Sequence, residues 1–382
     1  MKILHVIPFF TPSRGGSVAV PYEQSKMLSI MGHDVTIITT DFEFDKEYAK
    51  SIENEGVEVI PFHCIANMGL FLFSPSMKKW LKDNIEKFDL AHMHNFRSYQ
   101  NNVVYHYAKK YRVPYIIQAH GSLPRIFGKK QLKKIYDHVW GNKLLNGAEG
   151  VIAVTNMEIE QYQNMGLDRD KIQIVPNGID LSKYDQIPKK GEFRRKYSIK
   201  DDGKIILYLG RIHRIKGIDL LVDAFADVIN EVDNVKLVVV GPDDGFLSML
   251  KKQIANLKID DKILFTGPLY EKDKLEAYVD ADVCVLPSRY ETFPVCALEA
   301  CACSVPVIVT DNCGIANLVG DKVGCVVEFD KSQLRDAMFK ILSDEKLRRK
   351  FRENGRKLVE ERFDWGKIID RVVKVYSALK NG

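Results

Sequence analysis

The segment from Lys204 to Val228, KIILYL-GRIHRIKG-IDLLVDAFADV, is the strongest indication of the fold. Its first six residues are mostly apolar, which predicts a buried strand. A loop bounded by Gly210 and Gly217 follows, and Ile218–Val228 reads as the helix that the loop opens. A buried strand, a loop and a helix form half of a βαβ unit, so the stretch predicts an α/β fold with a parallel sheet.

The same alternation of strand and helix extends in both directions from this stretch. Before it, the series starts at Ile3–Phe10 and ends at Ile172–Val175; after it, the series ends at Cys325–Phe329. The turn residues PNGID (176–180) and the polar segment at 188–191 separate the two series. We therefore predict two doubly wound domains, at 1–185 and 186–364, followed by an amphipathic helix over Lys367–Leu379.

The composition is that of an ordinary globular protein. Of the 382 residues, 46% are hydrophobic, 28% charged and 10% aromatic, which disfavours disorder, collagen and coiled coil. The 56 Lys and Arg exceed the 51 Asp and Glu by a formal charge of +5. This balance is mild for the length, so no nucleic-acid partner is expected.

Neither a membrane span nor a disulfide framework is predicted. The longest apolar runs fall well short of the ~20 residues that a spanning helix needs, and MKILHVIPFF at the start reads as a strand rather than a signal peptide. The seven cysteines are an odd number in apolar surroundings, which favours reduced thiols in a cytoplasmic protein. Cys301 and Cys303 have no second pair or His at zinc spacing, so we expect small buried side chains there.

Two strand exits in the second domain carry charges that suit a phosphorylated sugar. Arg211 and Lys216 follow a buried strand beside a helix start, where two cations fit a diphosphate; the alternative is a solvated basic loop. In SRYETFPVCALEA (288–300), Glu291 lies in the loop and Glu299 lies in an apolar helical run, which argues against exposure. Carboxylates accept hydrogen bonds from vicinal hydroxyls, and free amides at a helix start donate to other oxygens. A sugar presents both needs.

Three features of the first domain follow its strands. Gly15 and Gly16 lie between the first strand and helix, where backbone amides can approach an anion, or where the chain simply turns. His120 ends the strand PYIIQA beside Gly121, so we expect it at the cleft; for His94, after LAHMH, we expect a structural role. A cleft between the carboxyl ends of two such sheets favours a ligand with two ends, such as a nucleotide joined to a second group.

Taken together, these motifs resemble those of the retaining glycosyltransferases of family 4, which have the GT-B fold. The most specific match is the pair Glu291 and Glu299 within PSRYETFPVCALEACA (287–302). GRIHRIKG (210–217), IQIVPNGID (172–180) and the Gly15-Gly16 loop also match. The resemblance implies two facing Rossmann-like domains with a deep interdomain cleft. It also implies that the helix at 365–382 crosses back onto the N-terminal acceptor-side domain, 1–185, and that 186–364 binds the donor.

The resemblance further implies an activity and the roles of single residues. The expected reaction moves a hexosyl unit from a UDP or GDP sugar to a hydroxyl acceptor, with retained anomeric configuration and with neither metal nor cofactor. The implied catalytic set is Arg211, Lys216, Glu291 and His120. The implied donor-binding set is Gly15 and Gly16 at the diphosphate, Leu269 near the base, Phe293, Pro294 and Val295 at the sugar or phosphate, and Glu299 at the ribose.

Pro294 and Ser304 depart from the family pattern, because many relatives have glycine at these positions. Proline lacks an N–H, so one amide donor to the sugar is missing. An epimerase of the same fold and a non-catalytic nucleotide-sugar binder remain alternatives, although such a binder would be expected to lose Arg211, Lys216, Glu291 or Glu299. The missing G-x-G-x-x-G disfavours a dehydrogenase. No metal is expected, since the D-x-D at 280–282 precedes its strand instead of following it.

The acceptor side carries a basic and aromatic segment. Between 97 and 143, a single acid, Asp137, stands against these basic residues: Arg97, Lys109, Lys110, Arg112, Arg125, Lys129, Lys130, Lys133, Lys134 and Lys143. Interleaved apolar residues are Ile126, Phe127, Leu132, Ile135, Tyr136 and Trp140, and the loop Met68–Phe73 is apolar too. The segment either docks on an anionic membrane or packs as a core-facing helix with a solvated basic face. Docking predicts a lipid-linked or surface-polysaccharide acceptor and a peripheral position on the inner face of the cell membrane.

Overall fold

The computed structural model describes residues 1–69, 71–126 and 128–380 of the chain. Two compact units divide it: unit 1 is Met1–Gly178 with Trp365–Gly382, and unit 2 is Ile179–Asp364. The sequence analysis placed this boundary at 185. Two residues of the predicted membrane-facing segments, Leu70 and Phe127, lie outside the described residues.

Unit 1 is built on a parallel sheet with an added antiparallel hairpin. Its strands are β1 (Lys2–Val6), β2 (Asp34–Thr40), β3 (Glu58–Phe62), β4 (Ala66–Met68), β5 (Phe71–Phe73), β6 (Leu90–His94), β7 (Tyr115–Gln118), β8 (Gly150–Ala153) and β9 (Ile172–Ile174). Its helices before the boundary are α1 (Gly16–Ile30), α2 (Lys46–Glu53), α3 (Pro75–Asn84), α4 (Tyr99–Tyr111), α5 (Lys130–Tyr136), α6 (Asn142–Asn146) and α7 (Asn156–Asn164). A π-helical turn, Asp137–Gly141, joins α5 to α6.

Unit 2 repeats the architecture. Its strands are β10 (Lys204–Leu209), β11 (Val235–Val240), β12 (Ile263–Gly267), β13 (Val283–Leu286), β14 (Val307–Thr310) and β15 (Gly324–Val327). Its helices are α8 (Glu192–Lys196), α9 (Ile218–Val228), α10 (Leu247–Leu257), α11 (Glu271–Asp280), α12 (Val295–Ala302), α13 (Ala316–Val319), α14 (Lys331–Ser343) and α15 (Glu345–Arg362). The final helix, α16 (Trp365–Lys380), belongs to unit 1.

The two sheets share one strand order. The main sheet of unit 1 runs β3-β2-β1-β6-β7-β8-β9, and that of unit 2 runs β12-β11-β10-β13-β14-β15. In both, the first strand lies beside the fourth main-sheet strand, so the order reverses at β1/β6 and at β10/β13. Loops leaving such a reversal separate to opposite sides and open a crevice at the carboxyl ends, where α/β sheets bind ligands. The predicted α/β class of two Rossmann-like halves is therefore confirmed.

Most elements lie close to their predicted positions. Lys204–Leu209 is a strand and Ile218–Val228 a helix with the predicted bounds. The strand forms because it is a mostly apolar run with two β-branched residues, Ile205 and Ile206, in a buried sheet. The prediction of an apolar loop at Met68–Phe73 is wrong: β4 and β5 pair there as an antiparallel hairpin. All seven cysteines are free thiols, as expected, and Cys301 and Cys303 are buried. No described helix is long and apolar enough to cross a membrane.

Candidate active site

In unit 2, the loops that follow β10 and β13 are fastened to each other. Gly217 has φ +66°, and a Cβ at this position would lie 1.8 Å from the carbonyl oxygen of Pro287. The Arg289 N–H donates to the carbonyl of Ile215 at 2.8 Å, and its guanidinium pairs with Asp219 at 2.6 Å. Glycine is thus required at 217, because only it allows the two loops to touch in this conformation.

The fastened loops bring two of the predicted catalytic side chains together. Lys216 Nζ forms an ion pair with Glu291 Oε2, and the two side chains are 22% and 17% exposed. Glu291 is held through its backbone, since its N–H donates to Asn312 at 3.2 Å and its carbonyl accepts from Gly314 at 2.8 Å. A cation and a carboxylate therefore sit side by side at the point where the strand order reverses.

Arg211 lies in the same loop but has a different partner. Its guanidinium pairs with Asp244, and its side chain is 46% exposed. The hydroxyl of Tyr208 donates to the Arg211 carbonyl at 2.8 Å, which fixes the loop backbone against β10. The sequence analysis grouped Arg211 with Lys216; the structure gives each cation its own acid.

Helix α12 begins at the predicted sugar-binding residues. Phe293 is buried, Pro294 is the residue before the first turn and offers no N–H, and Val295 starts the helix. Leu269 lies just after β12, on the far side of β10 and β11 from this helix. The Ala297 N–H in the first turn of α12 donates to the Pro294 carbonyl at 3.0 Å. The amides of Val295 and Cys296 precede it at the helix start, where they can donate to a ligand.

Glu299 is partly buried on α12, as the sequence predicted, and is held by groups that sequence reasoning missed. Its carboxylate accepts from Lys274 Nζ at 2.7 Å and from the Tyr278 hydroxyl at 2.9 Å. Its side chain is 14% exposed. Lys274 and Tyr278 are spaced one helical turn apart on α11, so an i, i+4 pair of hydrogen-bond donors could have been noticed.

In unit 1, Gly15 and Gly16 mark the start of α1. Gly15 has φ +63° and precedes the helix, and Gly16 is its first residue. No described atom outside the neighbouring residues comes within 4 Å of a Cβ placed at either glycine. The N-terminus of α1 is thus open to a ligand anion, and Gly15 is needed for the left-handed turn.

The loop that carries His120 is held from two sides by buried charges. His120 itself has φ +51°, an uncommon conformation for a residue with a Cβ. The Gly121 N–H donates to Glu158 at 2.7 Å, and the Arg97 guanidinium donates to the carbonyls of Ser122 and Leu123 at 2.6 and 2.7 Å. Burial raises the pKa of Glu158 to about 7. Neither Glu158 nor this role of Arg97 was foreseen.

His120 is also bonded to a cluster of buried histidines. His94 Nδ1 lies 2.9 Å from His120 Nε2, and His94 Nε2 lies 3.0 Å from His5 Nδ1. Desolvation lowers the pKa of His5 and of His120 to about 3, and it lowers the pKa of His92 and His94 as well. These imidazoles are therefore neutral at pH 7. Sequence reasoning assigned no role to His5 and missed the cluster.

The cluster is also where the described residues offer ligand atoms for a metal ion. One nitrogen from each of His5, His92 and His94 lies within 4.8 Å of the other two. The sequence search for metal ligands started from cysteine pairs and from D-x-D, so it did not examine these histidines. The period-2 spacing of His92 and His94, on a strand beside His5, was the available signal.

The basic segment of unit 1 presents apolar side chains to solvent. Leu132 and Ile135 on α5 are 62% and 58% exposed, and Trp140 is 48% exposed. Only Tyr136 of α5 is buried, and its ring meets Phe71 of the neighbouring hairpin at 5.5 Å. The alternative of a core-facing helix is therefore wrong for α5. Arg97 and Asp137 do not belong to this surface, since both are buried and paired at 2.7 Å.

Two family models match the chain, one for each half. The model described as Glycosyltransferase Family 4 matches residues 14–183. The model described as Glycosyl transferases group 1 matches residues 189–358. Between them they include the Gly15-Gly16 loop, His120 and both strand exits of unit 2.

Characterised relatives and a solved structure match nearly the whole chain. The N-acetyl-alpha-D-glucosaminyl L-malate synthase of Bacillus anthracis is 28% identical, over 96% of this chain and 94% of that protein. The phosphatidyl-myo-inositol mannosyltransferase of Mycobacterium leprae is 25% identical, over 99% of this chain and 97% of that protein. Anabaena HepE, crystallised with UDP and glucose, has a similar fold, with a TM-score of 0.85, 19% identity and coverage of 99% and 100%.

Proposed function

Since the chain belongs to glycosyltransferase family 4, we propose that it transfers a hexosyl unit from a nucleotide-diphosphate sugar to a hydroxyl acceptor, with retained anomeric configuration. The observation that carries the proposal is the Lys216–Glu291 pair at the reversal of the unit 2 strand order. A donor sugar has an anionic diphosphate beside a ring of hydroxyls, and the pair offers a cation beside a carboxylate. On binding, the lysine exchanges its acid for the diphosphate, and the carboxylate becomes free to accept from hydroxyls.

In the proposed reaction, the bond between the anomeric carbon and the diphosphate oxygen breaks, and the sugar passes through an oxocarbenium-like state. Negative charge grows on the leaving diphosphate, where Lys216 and Arg211 stabilise it from fixed positions. The acceptor oxygen bonds to the anomeric carbon on the same face from which the diphosphate departs. The proton of the acceptor hydroxyl goes to a diphosphate oxygen. Glu291 positions the sugar and is not a nucleophile. The two cations supply the charge that a metal ion supplies elsewhere, so no metal or other cofactor is proposed.

The remaining predicted residues take positioning roles in the proposal. We assign Glu299 to the ribose hydroxyls, because its carboxylate is already oriented by Lys274 and Tyr278. Val295 and the first turn of α12 donate amides to the sugar or the phosphate, with one donor fewer because of Pro294. Leu269 follows the strand that would receive the base. In unit 1, Gly16 opens an anion site at α1, and His120 bonds the transferred sugar.

A titration by thermal shift tests the donor site. UDP, GDP, ADP and NAD are each added without metal to the wild type, to Lys216→Ala and to Lys331→Ala. Lys331 is the matched control: it is a unit 2 lysine at the start of α14, and it pairs with Asp227 at 2.8 Å. At about 100 times its dissociation constant, a nucleotide should stabilise the protein by roughly 2.7 kcal/mol. Stabilisation by UDP or GDP that is lost only in Lys216→Ala is expected; a response to NAD alone, or to none, contradicts the proposal.

Two further measurements separate the proposal from its alternatives. Once the preferred nucleotide is known, the matching nucleotide-sugar donors are incubated with the protein and EDTA. ¹H NMR then records which anomer of the sugar is released first. A retained anomer supports the mechanism, and an inverted one contradicts it. Conversion of the donor to an epimer would favour the epimerase, and binding without any turnover of donor would favour the non-catalytic binder.

For the acceptor, we propose a glycolipid or a surface-polysaccharide precursor, reached by docking unit 1 on an anionic membrane. The support is the surface formed by α5 and the β4–β5 hairpin, where exposed lysines stand among exposed apolar side chains. Met68 is 75% and Phe73 44% exposed on the hairpin, and Lys130 and Lys134 are exposed on α5. The lysines can bind anionic lipid headgroups while the neighbouring apolar side chains enter the interface of the bilayer. The M. leprae relative, by its name, mannosylates a phosphatidylinositol.

Cosedimentation with vesicles tests the docking surface. Phosphatidylglycerol vesicles at low salt should bind the wild type, and phosphatidylcholine vesicles should bind it far less. The variant Lys130→Gln/Lys134→Gln should bind anionic vesicles roughly 30-fold more weakly, at about 1 kcal/mol for each lysine. The control Lys78→Gln/Lys79→Gln removes two exposed lysines of α3 and should bind as the wild type does. Equal loss in both variants, or no binding by the wild type, contradicts docking at α5.

A further inference from the structure

Four imidazoles and one phenol form an unbroken path inside unit 1. It starts at His92 on β6, passes through Tyr376 on α16 and His5 on β1, returns to His94 on β6 and ends at His120. The joining distances are 2.7 Å (His92 Nδ1 to Tyr376 Oη), 3.3 Å (Tyr376 Oη to His5 Nε2), 3.0 Å (His5 Nδ1 to His94 Nε2) and 2.9 Å (His94 Nδ1 to His120 Nε2). All members except His120 are buried.

With a hydrogen bond at each of its four contacts, the path allows only two arrangements of its protons. The Ser25 hydroxyl also lies 3.2 Å from His5 Nδ1, and it is compatible with both arrangements because it can donate or accept. A neutral imidazole has one N–H and one lone pair, so a ring that accepts at one nitrogen must donate at the other. The phenol likewise donates to one of His5 and His92 and accepts from the other. Every proton along the path therefore points the same way. The four histidines are either all protonated at Nδ1 or all protonated at Nε2.

His120 is the end of this path that adjoins the loop at the candidate site. At the other end, His92 Nε2 is buried and has no hydrogen-bond partner among the described residues. The proton order inside the path thus determines whether the outer nitrogen of His120, Nδ1, donates or accepts. Burial keeps the rings neutral at pH 7, since the pKa of His120 and of His5 is lowered to about 3.

We propose that Tyr376 is a positioning residue for sugar transfer, because its hydroxyl joins the buried histidines into one chain that fixes the tautomer of His120. The helix that carries Tyr376 lies at the far end of the sequence from β1, so the C-terminal segment controls a hydrogen bond at the site. This inference rests on the proposed function for its catalytic consequence, whereas the shared tautomer holds whatever the substrate is.

A metal ion is a less consistent occupant of the cluster. His5 Nδ1 and His94 Nε2 are 3.0 Å apart in a hydrogen bond, which needs a proton between them. A metal bound to both would have to replace that proton. The hydrogen-bonded chain accounts for this short separation, for the approach of Tyr376 to two rings and for the contact with His120.

Long-range ¹⁵N–¹H correlation spectra of protein labelled at histidine test the chain directly. The wild type should show one shared tautomer for His5, His92, His94 and His120, whether Nδ1–H or Nε2–H. Mixed tautomers among the four overturn the proposal, as does a stoichiometric metal that EDTA removes with shifts of these signals. This measurement needs no substrate and no variant, so it stands even if the proposed transfer fails.

The matched variants are Tyr376→Phe and Tyr115→Phe. Tyr115 is another buried phenol of unit 1, and its hydroxyl donates to the Leu144 carbonyl at 2.8 Å, away from the chain. Tyr376→Phe should disturb the tautomer signals of His94 and His120 and lower kcat roughly five- to tenfold, the size of one lost hydrogen bond, with the donor KM within about twofold. Tyr115→Phe should change neither. Unchanged His120 signals in Tyr376→Phe, or equal losses of kcat in both variants, overturn the proposal.

Discussion

Unit 1 and unit 2 arrange their strands in the same order and place different chemistry where those strands end. In unit 2 these regions carry charges in partly exposed pairs: Lys216 with Glu291 in the loops after β10 and β13, and Lys274 with Glu299 on the following helices α11 and α12. In unit 1 the corresponding ends carry neutral imidazoles, His5 on β1 and His94 on β6, which are buried. The same strand order thus carries charged side chains in unit 2 and neutral ones in unit 1.

The difference follows from how much water reaches each set of side chains. A partly exposed ion pair can exchange its partner for a charged ligand, because each ion keeps some solvation. A buried imidazole loses that solvation and stays neutral, so it can offer only hydrogen bonds whose direction its neighbours set. The contrast assigns charge neutralisation to unit 2 and orientation to unit 1.

The greatest predicted change is an acid sensitivity concentrated in unit 1, although desolvation also lowers the pKa of His213 in unit 2. The folded-state pKa of His5 and of His120 is about 3, below the unfolded value, so the unfolded chain binds these protons first. Their stabilisation is complete above about pH 6.5 and is lost as the pH falls toward 3. Lowering the pH from 7 to 5 should remove about 2 kcal/mol for each such histidine.

Urea unfolding followed by tryptophan fluorescence measures this loss. All three tryptophans, Trp80, Trp140 and Trp365, lie in unit 1, so fluorescence reports that unit while circular dichroism reports both. At pH 5 unit 1 should unfold at a lower urea concentration than unit 2. The fluorescence transition should then come first, and the part of the circular-dichroism change that is due to unit 2 should follow at higher urea. A single histidine, His213, lies in unit 2. Equal loss in both signals would contradict the contrast between the units.

A second effect, in unit 2, comes from Gly217→Ala. The added Cβ would overlap the Pro287 carbonyl, so the loops after β10 and β13 must separate, at a cost of about 3 to 5 kcal/mol. Gly245→Ala is the control, because Gly245 has φ +82° with no described atom within 4 Å of its Cβ; it should cost about 1 to 2 kcal/mol. Comparable losses of urea stability would show that backbone conformation, not the contact with Pro287, requires the glycine.

A third prediction concerns Glu158, whose protonation should partly offset the loss of unit 1 stability at acid pH. Its folded-state pKa of about 7 lies above the unfolded value, so the folded state gains stability as the pH falls through this range. Between pH 7 and 5 this gain is about 2 kcal/mol, which offsets the loss from one histidine. Glu158→Gln lacks the titration, so its acid loss should be steeper by that amount in the same fluorescence experiment. An unchanged slope would mean that Glu158 stays ionised.

The smallest effect concerns the ion pair at the proposed ribose site. Lys274→Met leaves Glu299 with its tyrosine partner but no cation, and should weaken binding of the preferred nucleotide roughly tenfold by calorimetry. Lys196→Met removes an exposed lysine paired with Asp273 at 2.8 Å and serves as the control. Equal affinities in the two variants would place Glu299 outside the nucleotide site.

The amino-acid sequence was enough to predict the alternation of strands and helices, the family, and the position of candidate functional residues after strands. The mostly apolar run Lys204–Leu209 specifies a buried strand locally, so its bounds needed no tertiary information. The family and the fold are confirmed, whereas the individual roles of the site residues stay predictions. Glu299 could be inferred to be shielded because its neighbours along the helix are apolar.

Which side chains contact each other could be learned from the folded structure alone. Lys216 and Glu291 are far apart in the sequence, and their pairing depends on β10 lying beside β13 and on Gly217 touching Pro287. His5 had no partner in the sequence analysis, and only the fold places His94 of β6 and Tyr376 of α16 against it. The exposure of Leu132 and Ile135 was equally hidden, because a helical pattern does not show which face the rest of the chain covers. Local sequence sets backbone preference, but partners across a sheet are chosen by packing.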